Sequence, residues 1–395
     1  MTGSIVTAGP LSLTASTLQI PFRDPFRIAR DLDGIGAITV VAEVADADLR
    51  RGEPSAAPRR GERPADLRAA DPSVGPARDL TGLGEGFPDA YYGETDATIH
   101  AVLPLLLAAT IPAWDLVRAA VAAGDVAGAR GALDQASDAM DDALRHNGAA
   151  KCAVDMALRD LAARALGIPL YEFEGLSASI PPTDFTVGID EPDVVAARAA
   201  RAAAFPFLKV KVGGPADIET LERVRAVFAG PIRVDANTGW DRDEGARLVP
   251  ELVRLGVELI EQPFPAHRID DLAWLQERST LPIVADESAV TILDLDGLVG
   301  AVAGVNVKLA KCGGVGPARR MLARARDVGF RTFLGCMEET SVGIAGSAAV
   351  ASLAEWVDLD GCLLLADDPF EGLELDADHR WRLTDAPGLG VRRKG

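Results

Sequence analysis

Three carboxylates recur at regular spacing in the second half of the chain. Asp235, Glu261 and Asp286 each end a short apolar run, and they lie 26 and 25 residues apart. One strand and one helix fill such an interval, so consecutive parallel strands would bring the three acids to one edge. Like charges that close remain ionised only beside a cation, and oxygen ligands favour Mg²⁺. Any one of these acids alone could be a solvated loop residue or a helix N-cap, but three in succession predict a Mg²⁺ site.

Lysines lie on both sides of this predicted site. Lys209 and Lys211 alternate within one β-like run and therefore point the same way, and Lys308 ends a later run, across a barrel from the first. A carbon acid beside a carboxylate ionises poorly in water, but a metal stabilises the enediolate, and a nearby cation lowers the pKa of a lysine. Two opposed lysines would permit inversion at that carbon. Taken alone, Lys308 could equally be a snorkelling surface lysine.

Eight short β-rich runs separated by amphipathic helical stretches must position these groups. Their alternation predicts a closed parallel (β/α) barrel. A doubly wound open sheet is less favoured, because no Gly-x-Gly-x-x-Gly turn follows an early strand. The predicted strands are Asp184–Gly188, Phe207–Val212, Ile232–Ala236, Glu258–Glu261, Ile283–Asp286, Val305–Leu309, Thr332–Gly335 and Trp356–Asp360.

The first half of the chain has a different pattern. The Ala- and Leu-rich stretch His100–Leu166 predicts helices, Gly167 and Pro169 end it, and Ala37–Val44 is β-like. These features predict an α+β domain over residues 1–180, followed by the barrel over 181–362 and a segment, 363–395, that returns to the first domain. Residues 46–79 contain five prolines and few large apolar residues, so we predict a mobile insertion there.

Composition and charge exclude several classes of protein. A formal net charge of -19 would repel phosphate backbones, so we expect no nucleic-acid partner, whereas a divalent cation would be attracted. The 48% apolar content suits a globular protein, and we expect no membrane-spanning run and no secretory signal, hence a cytoplasmic location. The cysteines are widely spaced and form no Cys-x-x-Cys pair, which argues against disulfides and a cysteine zinc site: Cys152, Cys312, Cys336 and Cys362.

Other chemistries fit the same residues less well. None of the four histidines ends a predicted barrel strand, which argues against a histidine base or a zinc site: His100, His146, His267 and His379. A Schiff-base aldolase would use one barrel lysine but would not need three acids on consecutive strands. A catalytically silent barrel that binds a metal or a peptide would not need opposed bases.

Several motifs resemble the enolase superfamily and, within it, the muconate-cycloisomerase-like subgroup. They include Gly84-Glu85-Gly86, Ala153–Leu158, Lys209-Val210-Lys211, Val234–Asn237, Glu261-Gln262-Pro263, Ala285–Ser288, Asn306-Val307-Lys308 and Lys311–Gly314. The resemblance implies an α/β fold with a modified (β/α)₇β TIM-like barrel and an α+β N-terminal capping domain. It also implies Asp235, Glu261 and Asp286 as Mg²⁺ ligands, Lys211 and Lys308 as acid and base, and Lys209 as an electrostatic helper.

One further motif resembles the dipeptide epimerases of that subgroup. Asp358 and Asp360 in Val357–Gly361 alternate, so both would face the same way, and in that family such a pair holds the free α-ammonium of a dipeptide. They could instead be ordinary polar residues at a strand end. The resemblance places Arg30 where Ala-Glu epimerases have an arginine for an acidic side chain. Glu338, with Glu339 as an alternative, and Asn237 complete the expected substrate-binding residues.

The predicted function is Mg²⁺-dependent epimerisation of a dipeptide at the α-carbon of its C-terminal residue, by two-base 1,1-proton transfer through an enediolate. An L-Ala-L/D-Glu-like dipeptide is the expected substrate. The alternative is an o-succinylbenzoate synthase, an N-succinylamino acid racemase or a cycloisomerase of the same subgroup, for which the Asp358 and Asp360 pair would be unnecessary. By analogy with other barrel enzymes we also expect a homo-oligomer.

Overall fold

The N-terminal part of the protein is an antiparallel sheet packed against helices. The structure, a computed structural model, describes residues 3–30, 34–49 and 80–395. The sheet has four strands in the order β1-β2-β3-β4, where β1 is Gly3–Ala8, β2 is Leu11–Pro21, β3 is Gly36–Asp46 and β4 is Thr81–Gly86. Buried and exposed residues alternate along β2, so one face of the sheet contributes to the core. The helices of this part are α1 (Asp96–Ala122), α2 (Val126–Ala143), α3 (Gly148–Leu166) and α4 (Leu170–Phe173).

Glycines in β4 allow α3 to lie directly on the sheet. A methyl group at Gly82, Gly84 or Gly86 would overlap backbone oxygens of α3 at successive turns, namely those of Ala157, Ala153 and Ala149. The absence of side chains at these positions therefore sets the distance between strand and helix. Glu85, which lies between these glycines in β4, is buried.

Helix α1 is long and apolar enough to cross a membrane, judged by length and composition alone, with a mean hydropathy of 1.6 over its most apolar window. The expectation that no such run exists is wrong, because residues 97–114 include no Asp, Glu, Lys or Arg. Leu103, Leu106 and Trp114 are fully buried, and Trp114 Nε1 donates to Asp46 Oδ2 at 2.8 Å. Helix α1 packs against α2 and the antiparallel sheet, as a core helix does.

The rest of the chain forms an eight-stranded parallel barrel, and its sheet order follows the chain from β5 to β12. Between β12 and β5, the Asp184 backbone N–H donates to the Val357 carbonyl at 3.1 Å, which closes the barrel. The strands are β5 (Phe185–Val187), β6 (Leu208–Lys211), β7 (Ile232–Asp235), β8 (Val257–Glu261), β9 (Ile283–Ala285), β10 (Gly304–Lys308), β11 (Arg331–Gly335) and β12 (Trp356–Asp358).

Helices connect the barrel strands. They are α5 (Pro192–Arg201), α6 (Asp217–Val227), α7 (Arg242–Arg254), α8 (Ile269–Gln276), α9 (Leu295–Leu298), α10 (Leu309–Cys312), α11 (Val315–Asp327), α12 (Ser341–Ala348) and α13 (Gly361–Leu364). Short 3₁₀ helices occupy Ala90–Tyr92, Ile292–Asp294 and Ala351–Leu353, and a final hairpin pairs β13 (Phe370–Glu371) with β14 (Arg392–Arg393).

The predicted barrel with an N-terminal capping domain is confirmed, and an observed strand overlaps each of the eight predicted runs. The C-terminal segment contacts the N-terminal part, where Ala366 N donates to Pro21 O at 2.8 Å and Leu389 N donates to Asp160 Oδ1 at 2.7 Å. The domain limits themselves remain predictions. Residues 50–79 of the predicted insertion lie outside the described residues.

Candidate active site

The three predicted metal ligands converge at the carboxyl ends of adjacent strands. Asp235 ends β7, Glu261 ends β8 and Asp286 follows β9, and one carboxylate oxygen from each lies within 4.8 Å of the others. All three side chains are fully buried. Burial, together with the charge of Asp235, raises the pKa of Glu261 to about 7, which shows how costly this cluster is without a cation. A set of oxygen donors only, with excess negative charge, fits Mg²⁺.

Hydrogen bonds from outside the cluster fix the orientation of these carboxylates. Asn306 Nδ2 donates to Glu261 Oε1 at 2.6 Å. The Lys311 ammonium bonds the Asp286 carboxylate and also donates to three carbonyl oxygens, those of Asp286, Ala289 and Asn306 at 2.6, 3.0 and 3.0 Å. Sequence reasoning noted Lys311 only as part of a motif and missed this role. Its position in the first turn after β10 was the available signal.

Lys211 and Lys308 approach the three predicted metal ligands from opposite sides of the barrel. They lie on β6 and β10, four strands apart in a barrel of eight. Lys211 Nζ is 2.7 Å from Asp235 Oδ2, and Lys308 Nζ is 3.0 Å from Asp286 Oδ2. Burial lowers the pKa of Lys308, but the charge of Asp286 outweighs it and the net shift is upward. The sequence argument for a lowered lysine pKa therefore depends on the charge of a bound cation, which opposes these carboxylates.

Lys209 and Asp358 form a buried ion pair between β6 and β12, which have only β5 between them in the closed barrel. The Lys209 ammonium bonds the Asp358 carboxylate and lies 3.3 Å from Glu261 Oε2 and 3.7 Å from Asp235 Oδ2. Burial alone would raise the pKa of Asp358, but Lys209 holds it below its usual range. Asp358 therefore already has a cationic partner from the protein.

Asp360 is held differently from Asp358. The Thr186 backbone N–H donates to Asp360 Oδ2 at 2.6 Å, and Thr186 Oγ1 reaches both carboxylates, at 3.1 Å from Asp358 and 3.4 Å from Asp360. Burial and the charge of Asp358 raise the pKa of Asp360 to about 8. Strand β12 ends at Asp358, so strand alternation was the wrong reason for placing Asp360 beside it. Thr186 was missed by sequence reasoning, because nothing in the sequence links it to these acids.

Arg30 reaches the site from the capping domain, but carboxylates of the protein already contact it. Its guanidinium bonds Glu287, lies 3.3 Å from Asp89 Oδ2 and stacks on the Tyr91 ring at 4.5 Å. Asn237 Nδ2 donates to the same Glu287 oxygen at 3.3 Å. Glu287 was another residue that sequence reasoning did not assign.

A small cavity of about 50 Å³ lies among these groups. All the predicted site residues line this cavity except the three predicted metal ligands. Those three lie against the lysines that line the cavity. Its predicted lining residues are Arg30, Lys209, Lys211, Asn237, Lys308, Glu338, Asp358 and Asp360. Glu339, the alternative to Glu338, does not line it.

The fold and the site define a barrel enzyme of the enolase superfamily, in which three clustered carboxylates lie between two opposed lysines. Residues 194–394 match the family model described as "Enolase C-terminal domain-like", and residues 79–175 match "Mandelate racemase / muconate lactonizing enzyme, N-terminal domain". The chain belongs to the mandelate racemase/muconate lactonizing enzyme family.

Similar proteins include several that are named as epimerases. An L-Ala-D/L-Glu epimerase of Bacteroides thetaiotaomicron is 43% identical over 248 residues, which span 62% of this chain and 64% of that protein, less than two thirds of its length. A hydrophobic dipeptide epimerase of Enterococcus faecalis is 32% identical over 79% of this chain and 88% of its own. The structure of a dipeptide epimerase from Methylococcus capsulatus, complexed with Mg and L-Arg-D-Lys, is 32% identical, covers 98% and 99% of the two chains, and has a TM-score of 0.73.

Proposed function

We propose that this chain is a Mg²⁺-dependent dipeptide epimerase that inverts the α-carbon of the C-terminal residue. The observation that carries the proposal is the placement of Lys211 and Lys308 on opposite sides of the three carboxylates. Opposed bases are what inversion at one carbon requires, because the proton must leave from one face and return to the other. Similarity to dipeptide epimerases along the length of the chain supports the same assignment.

Asp235, Glu261 and Asp286 would hold the Mg²⁺, which supplies positive charge to the substrate carboxylate and to the negative charge that develops next to it. One of the two lysines, in its neutral form, takes the α-proton and leaves the C–H electron pair on the substrate. The opposite lysine, as an ammonium, gives a proton to the other face of that carbon. When the other epimer is the substrate, the two lysines exchange these roles. The Lys209 ammonium, 3.3 Å from Glu261, adds fixed positive charge at the same place.

Asp360 supports a dipeptide as the substrate. Asp358 is neutralised by Lys209, whereas among the described residues Asp360 accepts hydrogen bonds from Thr186 alone and so retains acceptor capacity toward the cavity. A carboxylate with a raised pKa gains a strong partner when an α-ammonium approaches. An N-succinylamino acid or a muconate has no α-ammonium, so this feature favours the dipeptide reaction over the alternative chemistries.

NMR spectroscopy in D₂O with Mg²⁺ and L-Ala-L-Glu, L-Ala-L-Phe and L-Ala-L-Lys tests the proposal. We expect loss of the α-proton signal of the C-terminal residue and the appearance of a second diastereomer. Turnover of an N-succinylamino acid, with no exchange in any dipeptide, would replace the proposal by the alternative. The three peptides also rank the C-terminal side chain, and a preference for glutamate would require Arg30 to exchange Glu287 or Asp89 for the substrate carboxylate.

A homo-oligomer in the cytoplasm belongs to the same proposal. The four cysteines are all buried and unpaired, as suits a reducing compartment. Light scattering coupled to size-exclusion chromatography would report the mass of the particle. A mass equal to the 41.4 kDa of one chain would contradict the oligomer.

A further inference from the structure

Every cation that lines the cavity already lies against a carboxylate of the protein. Arg30 pairs with Glu287 and Asp89, and Lys209 pairs with Asp358. Lys211 pairs with Asp235, and Lys308 pairs with Asp286. Two carboxylates remain in the cavity without such a partner, Asp360 and Glu338. The proposed function assigns Asp360 to the α-ammonium, and it assigns no cation to Glu338.

Glu338 is a partly exposed carboxylate at the edge of the cavity. Within residues 3–30, 34–49 and 80–395, its side chain has no hydrogen bond or ion pair to another side chain, although it lines the cavity. Burial raises its pKa, and the charges of Lys211 and Lys308 offset this only in part. An unpaired carboxylate that lines the cavity is placed to accept a charge-assisted hydrogen bond from a cation that arrives with the substrate.

The position of Glu338 around the barrel indicates which end of the substrate it meets. It follows β11, the strand between β10 and β12, and is therefore adjacent to the strand that precedes Asp360. The backbone at Met337 packs so closely on Gly361 that a methyl group there would overlap the Met337 carbonyl oxygen. The loop that carries Glu338 thus lies directly against the residue that follows Asp360. Arg30, by contrast, is tied to Glu287, which follows β9.

We propose that Glu338 makes the enzyme selective for dipeptides whose amino-terminal residue has a cationic side chain, of the lysine or arginine type. This inference rests on the proposed function. With the α-ammonium at Asp360, the side chain of the same residue starts beside Glu338, and a charge-assisted hydrogen bond there is about twice as strong as a neutral one. An acidic side chain at that position is repelled by Glu338 and Asp360 together.

The first test uses the unaltered enzyme with Mg²⁺ and three substrates: L-Lys-L-Ala, Nε-acetyl-L-Lys-L-Ala and L-norleucyl-L-Ala. The acetylated peptide keeps the length of the side chain and loses its charge, and the norleucyl peptide loses the nitrogen. We expect kcat/KM for the lysyl peptide to exceed both others by about tenfold or more, which is about 1.4 kcal/mol. Equal values for the three peptides would overturn the inference and leave the epimerase assignment intact.

The second test is the isosteric variant Glu338→Gln. We expect the ratio of kcat/KM for L-Lys-L-Ala over L-norleucyl-L-Ala to fall to about one, since the amide retains shape and loses charge. A ratio that stays at its original value in a folded variant would assign the selectivity elsewhere and contradict the inference. If no dipeptide exchanges its α-proton with the unaltered enzyme, the proposed function fails and this inference fails with it.

Discussion

Lys209 on β6 and Asp358 on β12 form an ion pair on the same side of the barrel, with only β5 between their strands, whereas Asp360 has no cationic partner among the described residues. The Asp-x-Asp pair is therefore divided between two tasks. Asp358 holds a lysine that lies against the predicted metal ligands, and Asp360 would face the substrate in the proposed reaction.

The first prediction concerns the two members of this pair. Asp360→Asn should raise KM for L-Ala-L-Glu by about 30-fold or more, because a charge-assisted hydrogen bond contributes roughly 2 to 3 kcal/mol. Asp358→Asn should mainly lower kcat, because Lys209 loses its partner. Steady-state kinetics on the two variants distinguish the roles, and the same KM effect in both would contradict the division.

The second prediction follows from the raised pKa of Asp360, about 8. The unfolded chain loses this proton near pH 4, whereas the folded protein keeps it up to about 8, so the folded state binds more protons between these values. The contribution of Asp360 to stability is thus fully present at low pH and is lost as pH rises toward 8. Denaturant unfolding with EDTA at pH 5 to 9 should show stability falling with pH relative to Asp360→Asn. A constant difference across that range would contradict the shift.

A third prediction tests how β4 packs on α3. Gly84→Ala should destabilise the protein by about 2 kcal/mol or more, because its methyl group would overlap the Ala153 carbonyl oxygen and neither backbone can move freely. Gly131→Ala is the matched control. Gly131 lies within α2, where an added methyl group would have no atom within 4 Å. Alanine at this position should therefore stabilise the protein by up to about 1 kcal/mol. Urea unfolding curves give both values, and equal effects would refute the packing argument.

The fourth prediction concerns the metal site. Lys311→Met should weaken Mg²⁺ binding by roughly 10- to 100-fold, because the lysine holds the Asp286 carboxylate in its orientation toward the other two acids. Lys394→Met, at an exposed ion pair with Asp367, should bind Mg²⁺ as the unaltered protein does. Titration calorimetry with MgCl₂ after chelation measures both. Unchanged affinity in Lys311→Met would show that Lys311 has no part in positioning Asp286.

Much of the fold and of the chemistry was predictable because both depend on local patterns. The barrel strands are short apolar runs, and the 26- and 25-residue intervals between Asp235, Glu261 and Asp286 already imply one βα unit for each acid. The contacts that tune the site were not predictable in the same way. The pairing of Arg30 with Glu287 joins the capping domain to the barrel across 257 positions, and that of Thr186 with Asp360 joins residues 174 positions apart. Such pairs depend on the packed structure and leave no local signature.

The last prediction separates a two-base mechanism from a single base that serves both faces. With Lys211 and Lys308 on opposite sides of the metal ligands, each can reach only one face of the α-carbon. Lys211→Ala and Lys308→Ala should each lower epimer formation by about 1,000-fold or more, which corresponds to a barrier about 4 kcal/mol higher. The remaining lysine can still remove the proton on its own side and return a deuteron from solvent to the same face.

Each variant should therefore exchange the α-proton of one epimer in D₂O without inverting it, and the two variants should act on opposite epimers. NMR spectroscopy of the L,L and L,D forms of Ala-Glu gives four exchange rates that decide the question. Exchange of the same epimer by both variants would place the two lysines on one face. Loss of exchange for both epimers in one variant alone would make that lysine the single base and the other a positioning residue.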